Sequence, residues 1–201
     1  MAIRAIIFDV GGVLNGHHNL APLDPWCDRL KMSTDQIFHT VFGNEAAHQA
    51  TLGQATVAEI WQIANEQFGL SEDDKQALMV DFWATMTWDD TLLDFIRTLK
   101  TTYKTGVLSD AWPDARVSNT RVTDDLFDVI VYSAEEKLKK PDPEIYRRTL
   151  TRLGVEPAEA IYVDDSPNKV AGAQQVGMHA ILFTDTTTIQ QQINNLLADQ
   201  A

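Results

Sequence analysis

Polar residues whose side chains can carry chemistry stand directly after short apolar runs in this sequence. Five of them follow the runs AIIF, GVL and IYV: Asp9, Ser109, Asp110, Asp164 and Asp165. A lysine, Lys140, stands before a proline in the segment KKPDPEIY. Short apolar runs of this kind are typical of buried parallel strands, and ligands bind at the carboxyl ends of such strands. We therefore expect these side chains to belong to one functional site.

Three carboxylates, those of Asp9, Asp164 and Asp165, would repel one another strongly at a single sheet edge. At about 4 Å and an effective dielectric constant near 20, each like-charge pair costs about 4 kcal/mol. The cluster therefore predicts a bound cation, and carboxylate oxygens with open water positions suit Mg²⁺. Lys140 would neutralise further charge. Carboxylates, a divalent metal, a lysine and a hydroxyl are together the groups that hold and transfer a phosphoryl group.

The elements that must position these residues alternate along most of the chain. Apolar runs predict five strands, at residues 3–8, 106–108, 129–132, 161–163 and 180–183. Helical patterns follow most of them, at residues 113–122, 143–153, 168–176 and 188–197. Apolar strands separated by helices predict a Rossmann-like α/β fold, a three-layer α/β/α core around a buried parallel sheet.

A long stretch without proline interrupts this alternation after the first strand. Capping-box spacing begins at Ser33 and at Thr56, and about four helices are predicted in this stretch. We therefore predict an all-helical cap over residues 15–89, inserted after the first strand. The core would then consist of residues 1–14 and 90–201.

Charge and cysteine content argue against several classes of protein. The chain has 29 acidic and 16 basic residues and a formal net charge of −13. This balance disfavours nucleic-acid and anionic-membrane partners, because both need a basic surface. The single cysteine, Cys27, rules out an internal disulfide and fits a reducing compartment. No apolar run suffices for a membrane span and no signal-peptide pattern is seen, so we expect a cytoplasmic protein.

Four motifs occur in order on the predicted elements: IIFDVGGVL, VLSD, KKPDPEIY and IYVDDSPNKVAGAQQVGMHAILF. This order resembles the haloacid dehalogenase (HAD) superfamily, in its phosphatase-like branch with a helical cap after the first motif. The resemblance covers residues 4–14 and 91–184, and the helical insertion lies where this branch has its cap. It implies a Mg²⁺-dependent hydrolase that acts on a small phosphorylated molecule.

The resemblance also implies a role for each matching residue. Asp9 would be the nucleophile that attacks phosphorus and forms an aspartyl-phosphate, which water then hydrolyses. Ser109 and Asp110 would lie against the phosphoryl group, and Ser109 would donate a hydrogen bond to it. Lys140 would pair with both the nucleophile and the phosphate. The implied metal ligands are Asp9, the backbone carbonyl of Gly11, Asp165 and Asp164, the last of which would bind the ion or orient its ligands.

Two positions depart from the family pattern. Most of its phosphatases have an aspartate two residues after the nucleophile, as general acid and base, where this chain has Gly11. Because glycine cannot transfer a proton, we expect slow turnover, a leaving group that needs no protonation, or a substitute donor. Acyl, aryl and anomeric phosphates have such leaving groups, and His17 and His18 are the candidate donors. At Asp110 the capped branch commonly has asparagine. The extra negative charge would weaken anion binding, or the Asp110 side chain would cap the following helix.

Two other functions stay open at this point. A dehalogenase shares the nucleophilic aspartate and needs no general acid, because halide leaves without a proton. It does not, however, require the metal that the paired aspartates favour. A protein that keeps the fold for binding or regulation, with weakened catalysis, would also account for Gly11.

The distribution of charge and of tryptophan bears on the substrate. Residues 15–90 hold 12 acidic and 3 basic residues, so the cap is poorly suited to a second anionic group. We expect a substrate whose phosphate is its only strong charge, with a neutral body such as a sugar or an alcohol. Trp112 is expected to face the mouth of the site. Most of the other tryptophans would belong to the cap core, and one or two would line the pocket.

Overall fold

The computed structural model describes residues 2–198, which form a parallel sheet with helices on both faces and a separate helical region. The strands in this range are β1 (Ala5–Phe8), β2 (Asn15–His17), β3 (Met86–Trp88), β4 (Lys104–Ser109), β5 (Val129–Tyr132), β6 (Ala160–Asp164) and β7 (His179–Leu182). The α-helices in the same range are α1 (Asp24–Leu30), α2 (Thr34–Phe42), α3 (Glu45–Ala50), α4 (Val57–Phe68), α5 (Glu72–Ala84), α6 (Asp90–Lys100), α7 (Ala115–Ser118), α8 (Ser133–Glu136), α9 (Pro143–Leu153), α10 (Pro167–Gln175) and α11 (Thr186–Ala198). No helix within residues 2–198 has the length and hydropathy needed to cross a bilayer.

Five strands form one parallel sheet in the order β5–β4–β1–β6–β7. From β1 the chain continues to β4 and β5 on one side, and it then crosses to β6 and β7 on the other. The strand order therefore reverses at β1, and such sheets bind ligands at the carboxyl ends of the strands beside the reversal. Asp9 is the first residue after β1, so the fold places it at this point.

Both faces of the sheet are buried, which explains why its strands are apolar runs. On one face, Ile6 and Val107 pack in a cluster with residues of α6 and α11. On the other face, Ile7 and Leu108 pack with residues of α9 and α10. All four side chains are fully buried. The predicted three-layer α/β/α core is confirmed.

The chain between β2 and β3 buries an apolar core of its own. Helices α1 to α5 surround Ile37, Trp61 and Phe82, none of which is more than 1% exposed. The predicted capping boxes at Ser33 and Thr56 are present and begin α2 and α4. The prediction of a helical cap is confirmed, and the short helix α3 is one more helix than the sequence pattern indicated.

A two-stranded ribbon lies at the base of the cap, so the insertion is not entirely helical. Strands β2 and β3 pair antiparallel, with Asn15 opposite Trp88 and His17 opposite Met86. Each strand has only three residues, which is too short for apolar alternation to be recognised. The domain boundaries predicted after residues 14 and 89 lie at the ends of this ribbon and stay a prediction.

The helix predicted over residues 113–122 is shorter in the structure, where α7 covers only Ala115–Ser118. Its N-cap residue, Asp114, makes no side-chain capping hydrogen bond. Asn119 follows with a backbone conformation outside the helical region. Apolar spacing alone therefore overestimated this helix, because the stabilising contacts of a helix terminus are missing.

Candidate active site

Lys140 connects the acidic residues at the carboxyl edge of the sheet. Its Nζ lies 2.9 Å from Asp9 Oδ2 and 2.8 Å from Asp164 Oδ2, and it donates to the Leu108 carbonyl at 3.0 Å. The Lys140 side chain is fully buried. An ammonium group has three hydrogens, and these three contacts use all of them. Such pairing is what allows a charged lysine to be buried.

Asp164 and Asp165 are neighbours in sequence but have different environments. Asp164 is fully buried and accepts hydrogen bonds from Lys140, from the Tyr162 hydroxyl and from the Ser166 backbone N–H. Burial alone would raise the pKa of Asp164, but the nearby lysine charges outweigh it and lower the pKa. Asp165 is exposed, and its pKa is raised by partial desolvation and by the charges of two neighbouring aspartates. Asp165 is thus the carboxylate with oxygens still free for a ligand.

Lys169 is a second cation at this edge, and sequence reasoning missed it. Its Nζ lies 3.5 Å from Asp9 Oδ2 and 3.4 Å from Asp110 Oδ2. Burial would lower the pKa of Lys169, but the charges of Asp9, Asp110 and Asp164 outweigh it and raise the pKa. Lys169 therefore offsets the extra negative charge of Asp110. Its contacts are longer than those of Lys140, which leaves its ammonium group better able to meet an incoming anion.

Asp110 ties two loops of the site together. Its Oδ1 accepts a hydrogen bond from the backbone N–H of Lys140 at 2.9 Å, and its Oδ2 faces Lys169. The N-cap of α7 is Asp114, so Asp110 does not cap that helix. Ser109, the last residue of β4, is 3% exposed and lies beside Asp110 on the wall of a cavity.

The acidic cluster has the composition of a divalent metal site. One carboxylate oxygen from each of Asp9, Asp164 and Asp165 lies within 4.8 Å of the other two. With Asp110 included, the four carboxylates of this edge and its two lysines leave a formal charge of −2. A divalent cation would neutralise that charge, and carboxylate oxygens are the ligands that Mg²⁺ prefers. These residues therefore fit Mg²⁺.

Two adjacent glycines at this edge have different surroundings. Gly12 has φ +79°, and a Cβ there would lie 2.1 Å from Asp165 Oδ2. Only glycine allows the loop to pass this close to the carboxylate, and its positive φ is unfavourable for other residues. A Cβ at Gly11 would have no other atom within 4 Å. The position where the family has its general acid thus has room for a side chain.

The structure separates the two histidines that were candidate proton donors. His17 lines the cavity and is surrounded by aromatic rings, of which Phe38 and Phe82 lie 4.6 and 5.6 Å away between ring centroids. Burial and the neighbouring His18 lower the pKa of His17, so the ring is neutral at pH 7. His18 is exposed and is not among the residues that line the cavity.

A hydrogen-bond chain fixes the tautomer of His17. The Thr85 hydroxyl donates to the Phe82 carbonyl at 2.6 Å, so its oxygen can only accept from the Nδ1 of His17. Nδ1 therefore carries the proton, and Nε2 of the neutral ring has a lone pair. In this state His17 has no proton to donate from Nε2.

A cavity of about 520 Å³ adjoins the acidic edge and extends to the cap. From the core it is lined by Gly11, Ser109 and Asp110, and from the cap chiefly by aromatic and apolar residues. Three of the five tryptophans line it: Trp83, Trp88 and Trp112. The other two, Trp26 and Trp61, belong to the buried core of the cap.

Comparison with known proteins gives matches along the whole chain. The model of the haloacid dehalogenase-like hydrolases matches residues 3–177. A sesquiterpene phosphatase from Aspergillus oryzae is 27% identical over 197 residues, which is 96% of this chain and 96% of that protein. A glyceraldehyde 3-phosphate phosphatase from Pyrococcus furiosus is 34% identical over 91 residues, 44% of this chain and 38% of that protein.

A solved structure shares the fold. The HAD family enzyme from Bacteroides thetaiotaomicron, in complex with magnesium and inorganic phosphate, has a TM-score of 0.74 and 20% sequence identity. The match covers 91% of this chain and 95% of that one. The family match spans most of the chain, from the first strand to the loop before the last strand of the sheet. The protein therefore belongs to the haloacid dehalogenase-like hydrolases.

Proposed function

We propose that the protein is a Mg²⁺-dependent phosphatase that hydrolyses a small phosphate monoester through an aspartyl-phosphate on Asp9. The observation that carries this proposal is the buried Asp9 carboxylate, which contacts Lys140 and Lys169 beside the acidic pair Asp164 and Asp165. The full-length relative named as a phosphatase supports it, as does the neighbour solved with magnesium and inorganic phosphate.

The residues around Asp9 hold its carboxylate in one orientation. The Val10 N–H donates to Oδ1 at 2.7 Å, and Lys140 holds Oδ2. A fixed nucleophile lowers the entropic cost of reaching the reactive geometry. Asp9 would attack phosphorus, and the bond from phosphorus to the leaving oxygen would break. Water would then hydrolyse the aspartyl-phosphate and release inorganic phosphate.

The remaining polar groups would bind the phosphoryl oxygens and the metal. Ser109 would donate a hydrogen bond, Lys169 would meet an anionic oxygen, and Lys140 would hold the nucleophile. Mg²⁺ would be held by Asp9, Asp165 and the Gly11 carbonyl, with Asp164 binding it or orienting its ligands. When bound, this ion supplies positive charge to the phosphoryl oxygens.

The leaving group must depart without a proton from Gly11. His17, the remaining candidate donor on the cavity wall, is neutral at pH 7 and has its Nδ1 proton engaged by Thr85. The site would therefore favour phosphates whose leaving groups need no protonation. Cytoplasmic location and the absence of nucleic-acid and membrane partners stay predictions from charge and composition.

The test uses acetyl phosphate, with and without Mg²⁺, on the wild-type chain and on Asp9→Asn. We expect metal-dependent release of phosphate that falls at least about 10³-fold in the variant, since the nucleophile is lost. Asp94→Asn is the matched control, because Asp94 is an exposed residue of α6. Turnover that persists in Asp9→Asn, or that is unchanged when Mg²⁺ is removed, would contradict the proposal.

A haloacid dehalogenase would use the same nucleophile on a different substrate. Its substrate carries a carboxylate, which needs a cationic partner. Among the described residues, no lysine or arginine lines the cavity. Halide release from 2-chloropropionate without metal, in place of phosphate release from acetyl phosphate, would favour that reaction over the phosphatase.

A further inference from the structure

We propose that the substrate is an aryl phosphate, whose aromatic body fills the cavity between the core and the cap. This inference rests on the proposed phosphatase function and narrows its substrate class. Two independent observations lead to it: the chemistry of the cavity wall and the missing acid at Gly11.

The wall on the cap side is a cluster of aromatic rings. Phe42 and Trp83 lie 5.4 and 5.8 Å from Trp112, measured between ring centroids, and 6.3 Å from each other. Phe42 and Trp83 are 39% and 36% exposed, so part of each ring surface is uncovered. Both line the cavity, so their uncovered faces are available to an apolar or aromatic ligand.

Two polar groups of the cap side have their hydrogens engaged within the protein. The Thr51 hydroxyl donates to the Ala47 carbonyl at 2.9 Å, and Nδ1 of His17 bonds to Thr85. The Thr51 oxygen and His17 Nε2 can still accept hydrogen bonds, but two acceptors are few for a sugar, and hydroxyls left without partners lower affinity. An aromatic body has no such requirement and gains from offset or edge-to-face contacts with the rings.

The leaving-group requirement selects among apolar phosphates. A phenol has a pKa of about 10, whereas an alkanol, like water, is far less acidic. An aryl phosphate can therefore lose its leaving oxygen as phenolate with the bonding electron pair, and no side chain need protonate it. Water supplies both hydrogens of the second step, and the phenolate takes one of them in solution. Of the acyl, aryl and anomeric phosphates compatible with Gly11, the aryl class also fits the wall.

The experiment compares 2-naphthyl phosphate with benzyl phosphate, geranyl phosphate and glucose 6-phosphate on the full chain with Mg²⁺. We expect kcat/KM for 2-naphthyl phosphate to exceed that for glucose 6-phosphate at least about 10-fold, from burial of the ring system. It should exceed that for benzyl phosphate as well, because benzyl alcohol is the poorer leaving group. Equal or higher kcat/KM for benzyl or geranyl phosphate would overturn the aryl assignment.

Two variants distinguish an effect on the aromatic cavity wall from a general effect on the fold. Trp83→Ala should raise KM for 2-naphthyl phosphate about 2- to 10-fold, since a ring contact is lost, and should raise it by a larger factor than KM for acetyl phosphate, which has no ring to contact. Leu20→Ala is the matched control, because Leu20 is 37% exposed and is not among the residues lining the cavity. An equal effect of both variants on KM would overturn the proposal.

Binding to the inactive Asp9→Asn chain, measured by calorimetry, provides a readout without turnover. We expect 2-naphthyl phosphate to bind more tightly than glucose 6-phosphate, and Trp83→Ala in this background to remove the difference. If the wild type hydrolyses acetyl phosphate but prefers glucose 6-phosphate to 2-naphthyl phosphate, the aryl substrate is refuted and the proposed phosphatase activity still stands. If 2-naphthyl phosphate binds tightly but the wild type hydrolyses none of the phosphates, the proposed phosphatase activity is refuted and the aromatic binding site still stands.

Discussion

The core side and the cap side of the cavity differ in the chemistry of their residues. The core side consists of charged groups, most of them paired with a group of opposite charge, as the buried Lys140 is paired with Asp9 and Asp164. The cap side consists of aromatic rings that pack against one another but leave faces uncovered, as Phe42 and Trp83 do. The charged side is therefore preorganised for one reaction, whereas the aromatic side leaves its contacts to be completed by the substrate.

Stability and substrate selectivity are therefore expected to depend on different sides of the cavity. Buried ions are tolerated only when fully paired, so substitutions on the core side should affect the fold as well as the chemistry. The open faces of the cap rings contribute less to stability, so substitutions there should mainly affect which substrate binds.

Lys140→Met should destabilise the protein more than any other substitution proposed for the core side. It leaves Asp9 and Asp164 buried without their common cation, which typically costs about 3–5 kcal/mol in the free energy of unfolding. Urea unfolding of the purified chains measures this loss. Lys139→Met, at the exposed neighbouring residue, should change the free energy of unfolding by no more than about 0.5 kcal/mol. Similar values for both variants would contradict the contrast.

Gly11→Asp should reduce the rate difference between good and poor leaving groups. A Cβ at this position meets nothing within 4 Å, so a side chain can start here without a clash, and an aspartate would supply the missing acid. Because general acid catalysis typically contributes about 10²–10⁴-fold, we expect kcat for benzyl phosphate to rise about 10²-fold. The rate for aryl phosphates should rise much less. Gly11→Asn, of the same size but unable to transfer a proton, should show no rise, and an equal rise would refute this interpretation.

Asp165→Asn should remove the metal without harming the fold. Mg²⁺ at about 100 times its dissociation constant should raise the free energy of unfolding of the wild type by about 2.7 kcal/mol. The variant should lose this increase, while its metal-free stability stays equal or rises because one of three clustered negative charges is gone. Thermal unfolding with and without Mg²⁺ measures both quantities. A variant that keeps the Mg²⁺ effect would exclude Asp165 as a ligand.

The effects of Lys169→Met and Asp110→Asn on kcat/KM should be non-additive. Either change alone alters the charge beside the phosphate, whereas the double variant removes a positive and a negative charge together. We expect a coupling free energy of about 1 kcal/mol in kcat/KM for acetyl phosphate, within the range found for residues in contact. Steady-state kinetics of the four chains measures it. Additive effects of the two changes would show that Lys169 does not compensate for Asp110.

The positions of most charged residues of the core side could be predicted from sequence, whereas their roles stay predictions. Asp9 and Ser109 stand directly at the ends of apolar strands, and a parallel sheet brings such ends together whatever the details of packing. Lys169 was missed because it lies in a helix that the sequence pattern treats as a packing element. A signal was present: Lys169 is in the first turn of α10, and helical side chains point toward the N-terminus of their helix, where Asp165 lies.

The aromatic side could be predicted only in part. Trp112 was expected at the mouth because it follows Ser109 by three residues in a strand-end loop. Phe42 and Trp83 lie in α2 and α5, and their meeting with Trp112 depends on how these helices pack over the core. Helical periodicity shows which residues share one face of one helix, but it does not determine the angle or distance between helices.

The ribbon at the base of the cap both connects the cap to the core and lines the cavity. Gly16 and His17 in β2, and Met86 and Trp88 in β3, line the cavity while they connect the cap to the core. Any rotation of the cap about these two short strands would reshape the surface that the substrate touches. A substitution at Trp88 would therefore change both the surface that the substrate contacts and the connection between cap and core.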